Sequence, residues 1–304
     1  VKIHKLAGID IGSNSVRLLV SNIIEHSGQV TFKKSSLTRL PIRLGTDAFG
    51  QGEISPETQK RLVQGMKAYH HIMQVHGVQR YRACATSALR EAQNGLHVVE
   101  AIDKATGINI ELISGKEEAR MIFNTGFLEN IKDQAETFLY IDVGGGSTEL
   151  TLFHKNQIAA SHSFKIGTIR LLADKVKSKH WQEMEDWVKK KTLGMSDILM
   201  VGSGGNINRT FKLAQKRKGE SMKYGALKTI YTDLKKLEYQ DRMINYDLNP
   251  DRADVITHAL KIYTRVMKWS AAPKMIVPKK GLADGIVRFL YREHFATFKI
   301  ALSY

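Results

Sequence analysis

Gly8-Ile9-Asp10-Ile11-Gly12-Ser13-Asn14-Ser15 and Tyr140-Ile141-Asp142-Val143-Gly144-Gly145-Gly146-Ser147-Thr148 are two copies of one pattern. Each is an apolar strand that ends on an aspartate, passes through a Gly/Ser turn and enters another strand. A duplication at this separation predicts two similar α/β halves facing across a cleft. Around the first copy, residues 6–11, 16–24 and 30–37 read as a β-meander with a turn at Ser27-Gly28. A helix follows from Ser55-Pro56, with Ser55 as its cap. Leu62, Met66, Tyr69 and Met73 recur on one face, and Gly77 stops it. Strands at 80–85 and 108–113 alternate with helices at 96–105 and 117–128. Around the second copy, 138–143 is a strand, and 148–153 with 157–164 forms a hairpin around residues 154–156. Helices, a strand at 198–201 and a long helix at about 251–269 complete the pattern. The expected division is residues 1–128 and 129–304, with the crossing near 128–137.

The chain has 304 residues, enough for two domains, and its hydrophobic content of 42% suits a globular protein. No apolar run approaches the ~20 residues that cross a bilayer, and the first residues enter a strand with no signal peptide in view. A single cysteine, Cys84, excludes an internal disulfide framework and a cysteine metal cluster. The cytoplasm is therefore the expected compartment. Forty-six Lys+Arg against thirty Asp+Glu give a net charge of +16, a field that attracts polyanions.

A tight Gly/Ser turn exposes successive backbone N–H groups, which form a nest for phosphate oxygens. The aspartate before each turn, Asp10 or Asp142, can hold a hydrated Mg²⁺ that also takes phosphate oxygens. Gathered negative charge at Asp10, Asp142 and Glu149 makes sense around a cation. A third turn, Val201-Gly202-Ser203-Gly204-Gly205-Asn206, follows a strand and opens a helix, where anions bind. It lacks both the P-loop ending and the full dinucleotide fingerprint. Glu117 and Glu118 open the helix before the crossing. Either could take a proton from water, or both could serve only the helix dipole. Lys189-Lys190-Lys191, Lys216-Arg217-Lys218 and Lys279-Lys280 read equally as solvated faces or as a track for a polyanion.

These motifs resemble the exopolyphosphatase / guanosine pentaphosphate phosphohydrolase family of the sugar kinase–Hsp70–actin superfamily. Asp10 to Ser15 is similar to its first phosphate motif and Asp142 to Glu149 to its second. Between them, Ala85-Thr86-Ser87-Ala88-Leu89-Arg90-Glu91-Ala92 and Ile113-Ser114-Gly115-Lys116-Glu117-Glu118-Ala119-Arg120 are close to family signatures. The resemblance implies an α/β fold of two ribonuclease-H-like domains with the active site in the cleft between them, the final helix packing back onto the first. It implies release of terminal orthophosphate from polyphosphate or guanosine pentaphosphate, with Mg²⁺ or Mn²⁺ as cofactor. In that reading Glu118 is the general base. Gly12, Ser13, Asn14, Ser15, Arg90, Gly144, Gly145, Gly146, Ser147, Thr148, Gly204 and Gly205 hold phosphate, and Asp142, Glu149 and Asp10 surround the metal. A two-domain member is expected to prefer shorter chains. No membrane partner is expected, nucleic acid is not favoured, and a homodimer is compatible. Two departures stand out: Asn206 replaces a usual Thr, and Gly281-Leu282-Ala283-Asp284-Gly285 replaces Gly-Leu-Arg-Glu-Gly. The rival readings are a kinase of the superfamily, a non-catalytic polyanion-binding regulator and an actin-like filament former.

Overall fold

The computed structural model describes residues 1–126, 135–155, 157–217 and 219–296. It divides into two units, Val1–Thr125 with Gly281–Tyr304, and Gly126–Lys280. The expected crossing near 128–137 lies largely outside the described residues.

The first unit opens with β1 (Lys2–Ile11), β2 (Val16–His26) and β3 (Gln29–Leu40), then α1 (Leu44–Gly50) and α2 (Pro56–His76). β4 (Arg80–Ala85), α3 (Ser87–Glu91), α4 (Gly95–Thr106), β5 (Ile110–Leu112) and α5 (Gly115–Phe123) follow. The sheet order is β3-β2-β1-β4-β5: an antiparallel meander, with β4 and β5 added parallel through helical crossovers. α2 starts and stops where its residues dictate. The Ser55 hydroxyl accepts from Thr58 N–H at 3.3 Å, Pro56 fills the first position, and Gly77 takes a φ of 65°. Leu62, Met66, Tyr69 and Met73 are all buried along its inner face.

The second unit contains β6 (Thr137–Val143), β7 (Thr148–His154), β8 (Gln157–Phe164), α6 (Thr168–Leu172), α7 (Ser178–Thr192), β9 (Leu199–Ser203) and α8 (Gly205–Leu213). β10 (Ser221–Lys223), α9 (Tyr224–Lys236), α10 (Tyr239–Tyr246), α11 (Pro250–Ala253), α12 (Ile256–Trp269) and β11 (Lys274–Ile276) complete it. Its sheet order is β10-β11-β9-β6-β7-β8, so β6-β7-β8 repeats the meander and β9 repeats β4. The helix expected over 251–269 is two helices, α11 and α12, split at residues 254–255. α12 carries the largest share of the helical core of this unit, burying Ile256, Ala259, Leu260, Ile262, Tyr263, Val266 and Met267.

The chain then returns to the first unit as α13 (Leu282–His294), which packs on β1, β2, β4 and α5. Two glycines permit that packing. A Cβ on Gly8 would lie 2.6 Å from the Ala283 carbonyl oxygen, and one on Gly285 would lie 2.3 Å from the Met121 carbonyl oxygen. Neither approach leaves room for a side chain. α13 therefore clamps both the strand that carries Asp10 and the helix that carries Glu118.

Candidate active site

The two turns are built the same way. Gly12 N–H donates to Ser15 O at 3.2 Å, and Gly144 N–H donates to Ser147 O at 2.9 Å. In each, the segment after the third strand takes up the turn's carbonyls from behind. Gly45 N–H and Arg43 N–H bond Ser13 O and Asn14 O at 2.7 and 3.2 Å. Ile169 N–H bonds Gly145 O at 2.8 Å, and Arg170 Nε bonds Gly146 O at 2.6 Å. With their carbonyls engaged, the N–H groups of Gly145 and Gly146 donate to no partner among the described residues. Adjacent amides left in this state form an anion nest.

Behind the second turn, four register partners lie in one row across four strands: Ser203, Asp142, Glu149 and Ser163. Register partners share a sheet face. The Ser203 hydroxyl donates to Asp142 at 3.2 Å, and the hydroxyls of Ser147 and Ser163 both donate to Glu149 Oε1, at 2.6 and 3.0 Å. Glu149 is buried and Asp142 half-buried. Thr148, placed among the phosphate contacts by resemblance, turns inward and donates to Ile166 O at 2.6 Å. Gly204, with a φ of 110°, brings α8 close: a Cβ there would lie 3.2 Å from Asp142. The Gly205 carbonyl accepts from Arg252, and the Ser203 carbonyl from Tyr263. Burial and the carboxylates of Asp142 and Glu149 push the Tyr263 hydroxyl well above its ordinary value, so it stays a donor.

The equivalent row of the first sheet reads Cys84, Asp10, Arg17 and Arg39. Arg17 takes the position that Glu149 holds in the second, and its guanidinium donates to Asp10 at 3.0 Å. Burial raises the Asp10 carboxyl above its ordinary value, and Arg17 opposes the shift. Asp10 thus already has a cation beside it. Among the described residues, no group of three or more His, Cys, Asp or Glu side chains is placed to hold a metal ion. Asp142 and Glu149 remain a two-carboxylate pair with serine hydroxyls around them. That donor set suits Mg²⁺, which commonly takes one or two carboxylates plus phosphate oxygens.

α5 gives its two acidic residues different settings. Ser114 caps the helix by accepting from Glu117 N–H at 3.2 Å. The Glu117 carboxylate lies 3.3 Å from Arg82, which also grips Glu111 at 2.6 Å and lies 4.5 Å from the Phe289 ring centre on α13. Glu117 therefore belongs to a bracket that ties α5 to β4, β5 and α13. Glu118 is half-buried one helical step away, on a different face. The Arg90 guanidinium donates to the Ile113 carbonyl at 2.5 Å, which places it at the strand end that leads into α5. On α3, just before it, the Ser87 hydroxyl meets that of Ser13 in the first turn at 3.0 Å. The first unit thus assembles Gly12–Ser15, Arg90 and α5 around the ends of β1, β4 and β5. Sequence reasoning missed Arg17 and Arg82. The signal for Arg17 was available, since it follows Asp10 by the same interval as Glu149 follows Asp142.

The Ppx/GppA phosphatase family model matches residues 19–294. Among curated proteins, the chain is 28% identical over 313 residues to a bifunctional 3-dehydroquinate synthase/phosphatase of Fusobacterium nucleatum, covering 92% of this chain and 46% of that protein. It is 30% identical over 172 residues to exopolyphosphatase 2 of Mycobacterium tuberculosis, covering 55% of this chain and 53% of that one. The chain thus spans about half the length of these relatives. Among solved structures, an exopolyphosphatase from Cytophaga hutchinsonii superposes with a TM-score of 0.82 at 21% identity, over 94% of this chain and 97% of that one. The Aquifex aeolicus Ppx/GppA family member gives 0.74 at 23% identity, over 97% and 100%. At such identities the structures speak for the fold, which is the two-domain, actin-like α/β arrangement. With the family model covering most of its length, the chain belongs to the Ppx/GppA phosphatase family.

Proposed function

We propose that this protein is an exopolyphosphatase-type phosphohydrolase that releases terminal orthophosphate from inorganic polyphosphate or guanosine pentaphosphate. The observation that carries the reading is the pair of like-built turns, each with a buried or half-buried aspartate behind it. The amides of Gly145 and Gly146 take phosphate oxygens in the second unit, while the Ser147 hydroxyl stays on Glu149. Gly12–Ser15 and Arg90 do so in the first, and Gly204 and Gly205 open a helix beside Asp142. Phosphoryl transfer asks a protein chiefly for positioning and charge neutralisation, which such a set supplies.

Asp142 and Glu149 are the residues that would hold Mg²⁺ or Mn²⁺. The ion, when bound, spreads the charge of the phosphate oxygens. Asp10 instead orients Arg17, whose charge it partly offsets. Glu118 takes the proton of the attacking water, a role that Glu117 cannot share while it is held by Arg82. The net charge of +16 favours arrival of an anionic substrate.

Orthophosphate release, followed on short polyphosphate, long polyphosphate, guanosine pentaphosphate and ATP with Mg²⁺ and no acceptor, tests the reading. Release from one of the first three supports it. Phosphate transfer only when an acceptor is added would make the protein a kinase instead.

A further inference from the structure

Helices of the second unit gather cations that stand far apart in the sequence. α12 carries Lys261 and Arg265, one turn apart, and both reach the ring of Trp181 on α7. The Arg265 guanidinium carbon lies 4.2 Å from the ring centre, and Lys261 Nζ lies 5.4 Å from it. α9 packs against α12 and contributes the charge of Lys235, which is felt at Lys261. Tyr263 lies midway between the two cations in sequence. Residues two apart on a helix point roughly 200° apart, so it faces the other way, toward Ser203. The cations therefore sit on the side of α12 that faces away from the Asp142 row.

Lys261 and Arg265 are half-buried, and the charged side chain of neither has an ion-pair or hydrogen-bond partner among the described residues. Burial first, then Arg265 and Lys235, push the Lys261 amine below its usual value, and no acidic group opposes the shift. Like charges held together over one aromatic ring raise the energy of the folded chain. An anion placed among them reverses the sign of that interaction. Lys189-Lys190-Lys191, Lys216-Arg217-Lys218 and Lys279-Lys280 supply none of these residues.

We propose that Lys235, Lys261 and Arg265, on the floor given by Trp181, form a second anion site that takes a compact oligophosphate. It is separate from the Gly144–Ser147 turn and stands whether or not the chain is a hydrolase. Clustered cations, two of them half-buried and Lys235 exposed at the edge, match consecutive phosphates of an anhydride chain. The spaced phosphates of a nucleic-acid strand call for a longer track.

The test is isothermal titration of the full chain with a methylene-bridged triphosphate, which resists anhydride hydrolysis. Wild type and a Lys261→Gln/Arg265→Gln variant are compared, alongside Lys235→Gln, an exposed single change. The site should weaken at least ten-fold in the double variant and several-fold in Lys235→Gln. The ligand-free double variant should melt no lower than wild type, because repulsion has been removed. If the turns also bind phosphate, a second class of binding persists in the double variant. If they do not, no binding remains, and only the phosphohydrolase reading is damaged. A methylene-bridged guanosine triphosphate that binds no tighter than the bare triphosphate identifies an inorganic chain; one that binds ten-fold tighter identifies a nucleotide tail. Identical isotherms for wild type and both variants would overturn the site, as would displacement by single-stranded RNA at lower phosphate concentration than the triphosphate needs.

Discussion

Asp10 pairs with Arg17 at the point of the first hairpin where Asp142 meets Glu149 in the second. The duplicated frame therefore carries opposite electrostatics in its two halves. One half keeps a carboxylate neutralised by its own cation, and the other presents two carboxylates together.

That difference separates the two aspartates under metal titration. Asp142→Asn and Glu149→Gln should each lower phosphate release roughly 10²-fold at fixed Mg²⁺ and raise the Mg²⁺ concentration for half-activity. Asp10→Asn should leave that concentration unchanged, because its partner is Arg17. Equal shifts for all three variants would return Asp10 to the metal.

The packing of α13 gives a prediction on stability. Gly285→Ala forces a Cβ into the Met121 carbonyl, 2.3 Å away, and backbone cannot yield cheaply. The expected loss is about 1–3 kcal/mol, with a fall in turnover because Met121 lies on the helix that bears Glu118. The same change at Gly225, in α9 with nothing within 4 Å, should be neutral or stabilising by up to ~1 kcal/mol. Chemical denaturation of both variants measures the contrast.

Much of the frame was legible in the sequence because hairpins constrain their residues strongly. Asp-strand, Gly/Ser turn and strand recur at Asp10–Ser15 and Asp142–Ser147, since only small residues allow such turns. α2 announced itself through Ser55, Pro56 and Gly77. What stayed hidden depends on contacts between distant segments. Glu117 and Glu118 look alike until Arg82, 35 residues before Glu117, is found holding one of them. Gly281-Leu282-Ala283-Asp284-Gly285 read as a departure from a motif. Its chain positions serve packing: Ala283 presents a carbonyl to Gly8, Asp284 bonds Lys34 at 2.9 Å, and Gly285 meets α5. The expected helix over 251–269 failed locally, because periodicity alone does not mark the break at residues 254–255.

The end of α13 should respond to acid. Tyr291 donates to Glu25 at 2.9 Å, and His4 lies 3.1 Å from the same oxygen. The Tyr291 bond first, with help from His4, holds the Glu25 carboxyl below its ordinary 4.5 despite desolvation. A depressed carboxyl contributes stability that is present above its unfolded value and lost as pH falls through the folded one. Tyr291→Phe should therefore be less stable than wild type at pH 7 and lose less on acidification from pH 5 to 3. Parallel acid-melting curves for the two proteins would refute the contribution.

Salt should act on arrival more than on chemistry. Raising ionic strength shortens the Debye length to about 8 Å at 0.15 M, so the field of a +16 chain weakens. KM for polyphosphate should climb with salt while kcat stays nearly level. A KM that is flat across the range would show that the charge does not steer substrate.

The most direct test compares Glu118→Gln with Glu117→Gln on one substrate, with kcat, substrate Kd and melting temperature read for each. Loss of a general base is worth roughly 10²–10⁴-fold. Glu118→Gln should fall by that amount in kcat, with folding intact and binding kept or tightened. Glu117→Gln should stay within a few-fold in kcat, and its cost should appear in the melting temperature through the lost Arg82 pair. Equal losses of kcat in the two variants, or a normal kcat for Glu118→Gln, would contradict the account at its centre.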